Sequence, residues 1–104
     1  MSYLMRGNVY WADLGAGRKP YLVVSNNDRN RHLASAVVVR LTTTLKPPLS
    51  TIIDLTGADY PLVGRVLCDD IMVAHEDDYP EHAGALSPAT MRRVEGALRI
   101  VLAL

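Results

Sequence analysis

Two runs dominate the sequence, Tyr21-Leu-Val-Val-Ser25 and Ala36-Val-Val-Val-Arg-Leu41. Both are almost continuously apolar and rich in β-branched residues, and neither is long enough for a buried helix. Both therefore read as strands, the first covered on both faces and the second the clearest strand in the chain. Such strands need neighbours. Asn8-Val-Tyr-Trp-Ala-Asp13, aromatic and β-branched, supplies one, and Ser50-Thr-Ile-Ile-Asp-Leu55 supplies another. Arg65 to Val73 reads as one long strand or two short ones. Between them, Gly15, Gly17 and Pro20 mark a turn in which the proline holds Lys19 extended. Asn26 to His32 is a polar connection with room for a helical turn. Pro47-Pro48 end whatever continues past Thr42-Thr-Thr44, and Glu76 to His82 is an acidic loop.

Only the C-terminus carries helical periodicity. Ser87 is an N-cap with Pro88 at the first helical position. Met91, Val94, Leu98, Val101 and Leu102 recur at three- and four-residue spacings as one apolar stripe, with Arg92, Arg93, Glu95 and Arg99 off it and Ile100 nearly opposite. Short strands followed by one terminal helix describe a mainly β, α+β fold, a small barrel closed or covered by a helix. The 104 residues suffice for one domain, residues 1–104, with no internal repeat or linker. A chain of this size buries only about two-thirds of its surface as a monomer, which favours a dimer.

The apolar fraction of 49% and charged fraction of 21% are those of a globular protein rather than a disordered one. No apolar run approaches the ~20 residues of a membrane span. The opening Met-Ser-Tyr-Leu-Met-Arg-Gly lacks the form of a signal peptide. These features predict a cytoplasmic protein. The net charge of zero hides an uneven distribution. Residues 1–50 hold seven bases against two acids, and residues 51–104 hold four against nine, so the halves carry +5 and −5. Nine of the eleven bases are Arg, whose planar fork suits phosphate, so the basic half points to an anionic partner.

Several enzyme classes are disfavoured. Gly15-Ala-Gly17 lacks the third glycine and the following helix of a phosphate-binding loop. His32, His75 and His82 are scattered, and Cys68, the only cysteine, forms neither a disulfide framework nor a zinc site and reads as packed in a strand. Asp69-Asp70 and Glu76-Asp77-Asp78 read as solvated acids rather than cation ligands. No metal and no cofactor is expected. Trp11, the only tryptophan, reads as a core residue.

Five blocks, in order, go further. Arg6-Gly-Asn-Val-Tyr-Trp-Ala-Asp-Leu14, Lys19-Pro-Tyr-Leu-Val-Val-Ser-Asn-Asn27, Val37-Val-Val-Arg-Leu-Thr-Thr-Thr44, Gly64 through Cys68-Asp69, and Gly84-Ala-Leu-Ser87 with Met91, Val94 and Ala97-Leu98 cover nearly the whole chain. Together they resemble the MazF/PemK family, the toxins of bacterial type II toxin–antitoxin pairs. The short Gly15–Pro20 turn and the triple threonine are most similar to an actinobacterial subgroup.

The resemblance implies an SH3-like barrel with a C-terminal helix, acting as a homodimer. It implies a sequence-specific, metal-independent endoribonuclease that cuts single-stranded RNA and so inhibits translation and growth. A cognate antitoxin would fill the RNA groove with a segment that folds on binding. Such cleavage uses the ribose 2′-OH against the adjacent phosphorus. The enzyme must help remove the hydroxyl proton, stabilise the phosphorane and protonate the departing 5′ oxygen.

In the family an Arg before Pro and a Thr after the central strand carry this work. Thr42 matches the Thr. At the Arg position the chain departs from the pattern, with Lys19 before Pro20 and Arg18 before that. Lys19 keeps register with Pro20 and is preferred. A lysine amine can act without its proton where burial or a neighbouring cation disfavours the charge. Arg18 would then be that neighbour or a second phosphate contact; the alternative gives Arg18 the phosphate. Asp69 matches a family carboxylate that accepts hydrogen bonds from a base edge. Arg65 shares a strand face with Leu67, where some relatives carry Arg. Asn26 and Asn27 either hold their loop or read a base. Arg29, Arg31 and Arg40 complete the expected RNA-binding set, with His32 beside them. The competing readings are a protein-binding poison similar to CcdB, which traps DNA gyrase, and a catalytically weak RNA-binding barrel in which the lysine at the arginine position has cost turnover. Proteins like CcdB place their activity in the terminal helix and lack the basic-Pro strand and the Thr strand end, so Lys19-Pro20 and Thr42 favour the nuclease.

Overall fold

The computed structural model describes residues 4–104. Met1-Ser2-Tyr3, part of the opening weighed against a signal peptide, lies outside them. Six strands and two helices follow in the order β1 (Asn8–Asp13), β2 (Arg18–Val23), α1 (Asn27–Leu33), β3 (Ser35–Thr42), β4 (Ile52–Asp54), β5 (Arg65–His75), β6 (Glu81–Ala85) and α2 (Pro88–Leu102). The strands form one antiparallel sheet in the order β4-β5-β3-β2-β1-β6. β4 and β6 are its edges, so the small barrel is not closed by hydrogen bonding. Among the described residues no helix is long and apolar enough to cross a membrane.

The two apolar runs are central strands buried on both faces. On one face Val9, Leu22, Val39, Leu41 and Val66 pack against Met91, Val94 and Ala97 of α2. On the other, Tyr21, Val23, Ala36, Val38 and Ala74 gather around Leu4. The alternation along β2 and β3 follows from the two-residue period of a strand. α2 begins where Ser87 and Pro88 predict, with the Ser87 hydroxyl accepting from the Thr90 N–H at 3.2 Å. Ile100 is exposed as expected, but Leu102, at 52% exposure, falls outside the stripe.

Two boundaries differ from expectation, those of β2 and β6, and two open readings are resolved, at α1 and β5. β2 starts at Arg18, because Lys19 and Pro20 already pair with Ala12 and Trp11 of β1. The polar connection after β2 is the two-turn helix α1, capped by Asn26. Arg65 to His75 is a single strand, bent where Val39 and Arg40 of β3 face Ile71 and Leu67, leaving Cys68, Asp69 and Asp70 as a bulge. The acidic segment ends in β6, an edge strand with a glycine that pairs with β1 and whose composition hides it. Trp11 is corrected as well. It is 39% exposed: although it shares a face of β1 with Val9, it stands outside the cluster packed on α2 and lines an open cavity instead.

Candidate active site

Hydrogen-bonded pairing between β2 and β3 stops at Tyr21 opposite Arg40. Beyond that point Pro20, which has no N–H to donate, would face Leu41. The strands part there, and a cavity of ≈ 370 Å³ opens between residues 18–20 and 40–44, with residues 61–63 and Trp11 completing its wall. Continuing the register two residues brings Lys19 opposite Thr42, so the two side chains singled out from the sequence share this cavity. Arg18 and Arg40 line it as well.

Thr42 sits at the end of a row crossing the sheet, Asp54 opposite Arg65 and Arg65 opposite Thr42. Asp54 accepts from Arg65 Nε at 3.2 Å, while Arg65 Nη1 donates to the carbonyls of Thr43 (3.1 Å) and Thr44 (2.9 Å). Arg65 thus clamps the chain just past Thr42. The Thr42 hydroxyl oxygen accepts from the Thr44 N–H at 3.1 Å, which leaves its proton to donate into the cavity. Gly64 packs directly on the Thr42 carbonyl: a Cβ there would lie 2.3 Å from that oxygen.

The two basic neighbours on β2 are held differently. Arg18 donates to Glu81 at 2.8 Å and lies 5.7 Å above the Trp11 ring, so the tryptophan expected in the core is a platform for a cation at the cavity wall. Lys19 is half-buried and makes no ion pair among the described residues. Arg40, half-buried on β3, has a buried Nε that no group among the described residues hydrogen-bonds. Its charge acts on Tyr21, whose hydroxyl is pushed up by burial, pulled down by Arg40 and raised again by Asp70 and Asp13.

The other expected RNA contacts lie outside the cavity. Asn26 accepts from the Arg29 N–H as the α1 cap (3.1 Å), and Asn27 accepts from the Arg6 N–H (2.7 Å). Arg29 donates to the Ser35 carbonyl at 2.9 Å, fastening α1 to β3. Arg31 pairs with Asp28 at 2.6 Å, and the His32 ring bonds the Asp28 carbonyl. Asp69 is exposed on the β5 bulge. Cys68 is fully buried, and burial, with Asp69 nearby, pushes its thiol up to about 11. Asn30 was missed by sequence reasoning. It is fully buried, donates to the Ser25 carbonyl at 3.1 Å and accepts from the Ser25 hydroxyl, which itself accepts from the Val37 N–H. An Asn five residues after a Ser at a strand end is the only local trace of that brace.

Residues 5–102 match the family described as PemK-like, MazF-like toxin of type II toxin-antitoxin system. The chain is 44% identical over its full length to Endoribonuclease MazF1 of Mycobacterium bovis and to Endoribonuclease MazF4 of Mycobacterium tuberculosis, covering 97% of each. Among solved structures it is similar to a mycobacterial endoribonuclease in complex with its cognate antitoxin, at 44% identity and a TM-score of 0.89 over 96% of this chain and 95% of that one. It also superposes on MazF from Deinococcus radiodurans with a TM-score of 0.88 over the whole of both chains; at 19% identity this is a likeness of fold.

Proposed function

Because the chain belongs to the PemK-like, MazF-like toxin family of type II toxin–antitoxin systems, we propose that it is an endoribonuclease that cuts single-stranded RNA at chosen sequences. It needs no metal ion, inhibits translation and growth, works in the cytoplasm and acts as a homodimer of one toxin domain spanning residues 1–104. Its antitoxin covers the same groove with a segment that folds on binding. The observation that carries this reading is the meeting of Lys19 and Thr42 in one open cavity between β2 and β3.

The chemistry follows from the groups present. The RNA backbone lies along the cavity with a phosphate between Lys19 and Thr42. The 2′-hydroxyl gives its proton to solvent water as its oxygen attacks phosphorus, the P–O5′ bond breaks, and the products carry a 2′,3′-cyclic phosphate and a 5′-hydroxyl. With one of its oxygen's two lone pairs held by the Thr44 N–H, the Thr42 O–H donates to a non-bridging phosphate oxygen. The Lys19 ammonium lies beside the charge that develops on the phosphorane and supplies the departing 5′ oxygen with a proton. Arg65 acts through the backbone it clamps and is a positioning residue. Asp69, exposed at the bulge, accepts hydrogen bonds from a base edge.

The test is cleavage of a long mixed-sequence RNA in EDTA with the cut ends mapped. Discrete cuts leaving 5′-hydroxyl ends are expected. Thr42→Ala should lower the rate by about 10²–10³-fold, the usual cost of one transition-state donor, while remaining dimeric. Lys19→Ala should abolish cutting and Arg18→Ala retain it; the reverse pattern would transfer the role to Arg18. Intact RNA at high protein concentration would overturn the nuclease reading.

A further inference from the structure

We infer that Arg40 is a third catalytic residue, gripping the phosphate between Lys19 and Thr42 side-on through its Nε–H and one Nη–H. The inference rests on the ribonuclease reading for the identity of that phosphate.

Three cations line the cavity, and they differ in what already holds them. Arg18 is tied to Glu81 and lies over Trp11. The Arg40 side chain makes no hydrogen bond and no ion pair among the described residues, and its Nε is the only buried side-chain nitrogen or oxygen among them without a partner. Every other arginine on the N-terminal half, from Arg6 to Arg31, is hydrogen-bonded within the chain. A buried N–H on a cation is costly to leave unpaired, so the Arg40 side chain, which lines the cavity, gains by turning its Nε–H out to an acceptor that enters there.

Strand geometry says where that acceptor lies. Arg40 and Thr42 are two residues apart on β3 and project from the same face, with Lys19 across the gap from Thr42. Asp69 and Asp70 are on the bulge opposite Arg40, yet neither forms an ion pair with it. A guanidinium offers parallel Nε–H and Nη–H donors that match two oxygens of one phosphate, which an ammonium cannot do. Arg40 would therefore bind two non-bridging oxygens while Thr42 donates to one of them and Lys19 attends the leaving group. This division of labour accounts for a lysine at the family's arginine position: the fork has moved to the neighbouring strand.

Arg40→Lys is the deciding variant, since it keeps the charge and most of the stem but loses the fork. Single-turnover cleavage of an RNA containing the mapped site should fall by about 10²-fold in Arg40→Lys and at least as far in Arg40→Gln. Melting temperatures should stay near that of the unaltered protein. Millimolar guanidinium should restore part of the rate to Arg40→Ala and none to Lys19→Ala. Cleavage by Arg40→Lys within a few-fold of the unaltered protein would overturn the side-on grip, and the same result for Arg40→Gln would overturn any phosphate contact. Binding separates this inference from the nuclease reading. If the unaltered protein binds single-stranded RNA without cutting it, the nuclease reading fails. A weaker Kd for Arg40→Gln, with a salt slope shallower by about 0.7, then still sustains the contact, and an unchanged Kd overturns it.

Discussion

Thr42 owes its position less to its own contacts than to Gly64, whose φ of 103° no other residue adopts easily and whose missing side chain lets β5 start against the Thr42 carbonyl. An added methyl would sit 2.3 Å from that oxygen, and backbone cannot swing aside as a flexible side chain can. Gly64→Ala should therefore cost about 1–3 kcal/mol of stability and most of the cleavage activity, read as a lower urea midpoint and a slower single-turnover rate. Gly57→Ala is the control, since nothing lies within 4 Å of its added Cβ; its midpoint and rate should match the unaltered protein. An equal loss in both would show that Gly64 has no special tie to the site. The residue scale also marks where sequence reading stops. Lys19, Pro20 and Thr42 were legible because they stand in blocks that resemble a family. Arg40 stood in the expected RNA-binding set without any sign of its unpartnered Nε, and the parts of Gly64 and Asn30 were not legible, because they depend on groups across the sheet. Trp11 was misplaced for the same reason: whether a strand residue is covered depends on what packs over that face.

Asp59 joins two elements that the sequence separates. From the short turn at Gly57–Asp59 its carboxylate accepts from the N–H groups of Ser87 (2.8 Å) and Thr56 (2.9 Å) and from the Thr90 hydroxyl (2.7 Å), so it fixes the first turn of α2. Burial alone would raise its pKa, but these donors outweigh burial and hold it below the ordinary value of 3.8. A carboxyl depressed in the folded state stabilises the fold above its unfolded pKa, and that contribution is lost as pH falls through the folded value. Stability should thus drop on acidification below about pH 4, in part through Asp59. Asp59→Asn should cost about 2 kcal/mol near neutrality and show a flatter decline in that acid window. Urea midpoints across the range decide it, and a variant with the same acid slope would place the loss at other carboxylates. α2 itself was legible, since Ser87-Pro88 and the apolar stripe are local signals. Its anchor was not, because no pattern of spacing connects residue 59 to residue 87. β6 stayed hidden for a related reason: Glu81–Ala85 is a strand because β1 offers it an edge, not through its own propensity.

For the molecule as a whole, the +5 and −5 halves overstate the field that RNA would meet. Arg6–Glu95 and Arg18–Glu81 neutralise charge between the halves, Arg31–Asp28 does so within the first, and Arg65 is paired with Asp54. What survives at the cavity is Lys19 and Arg40, joined by Arg18 when it leaves Glu81. That exchange is cheap, because both partners are more than half exposed and such pairs contribute at most about 1 kcal/mol. Two or three phosphate contacts release few counterions, so the log–log dependence of RNA affinity on salt should have a slope between about −1.4 and −2.1 for single strands. Glu81→Gln frees Arg18 permanently and should tighten binding modestly while moving the slope toward the steeper end. Fluorescence anisotropy with an RNA blocked by a 2′-deoxyribose at the cut site measures both. A slope near −4 or beyond would mean that the strand runs over the cations of α1 or α2, and the path would no longer be confined to the opening between β2 and β3. The measurement therefore distinguishes a short clamp on one phosphate and its neighbours from an extended basic track, two designs that the same sequence charge supports.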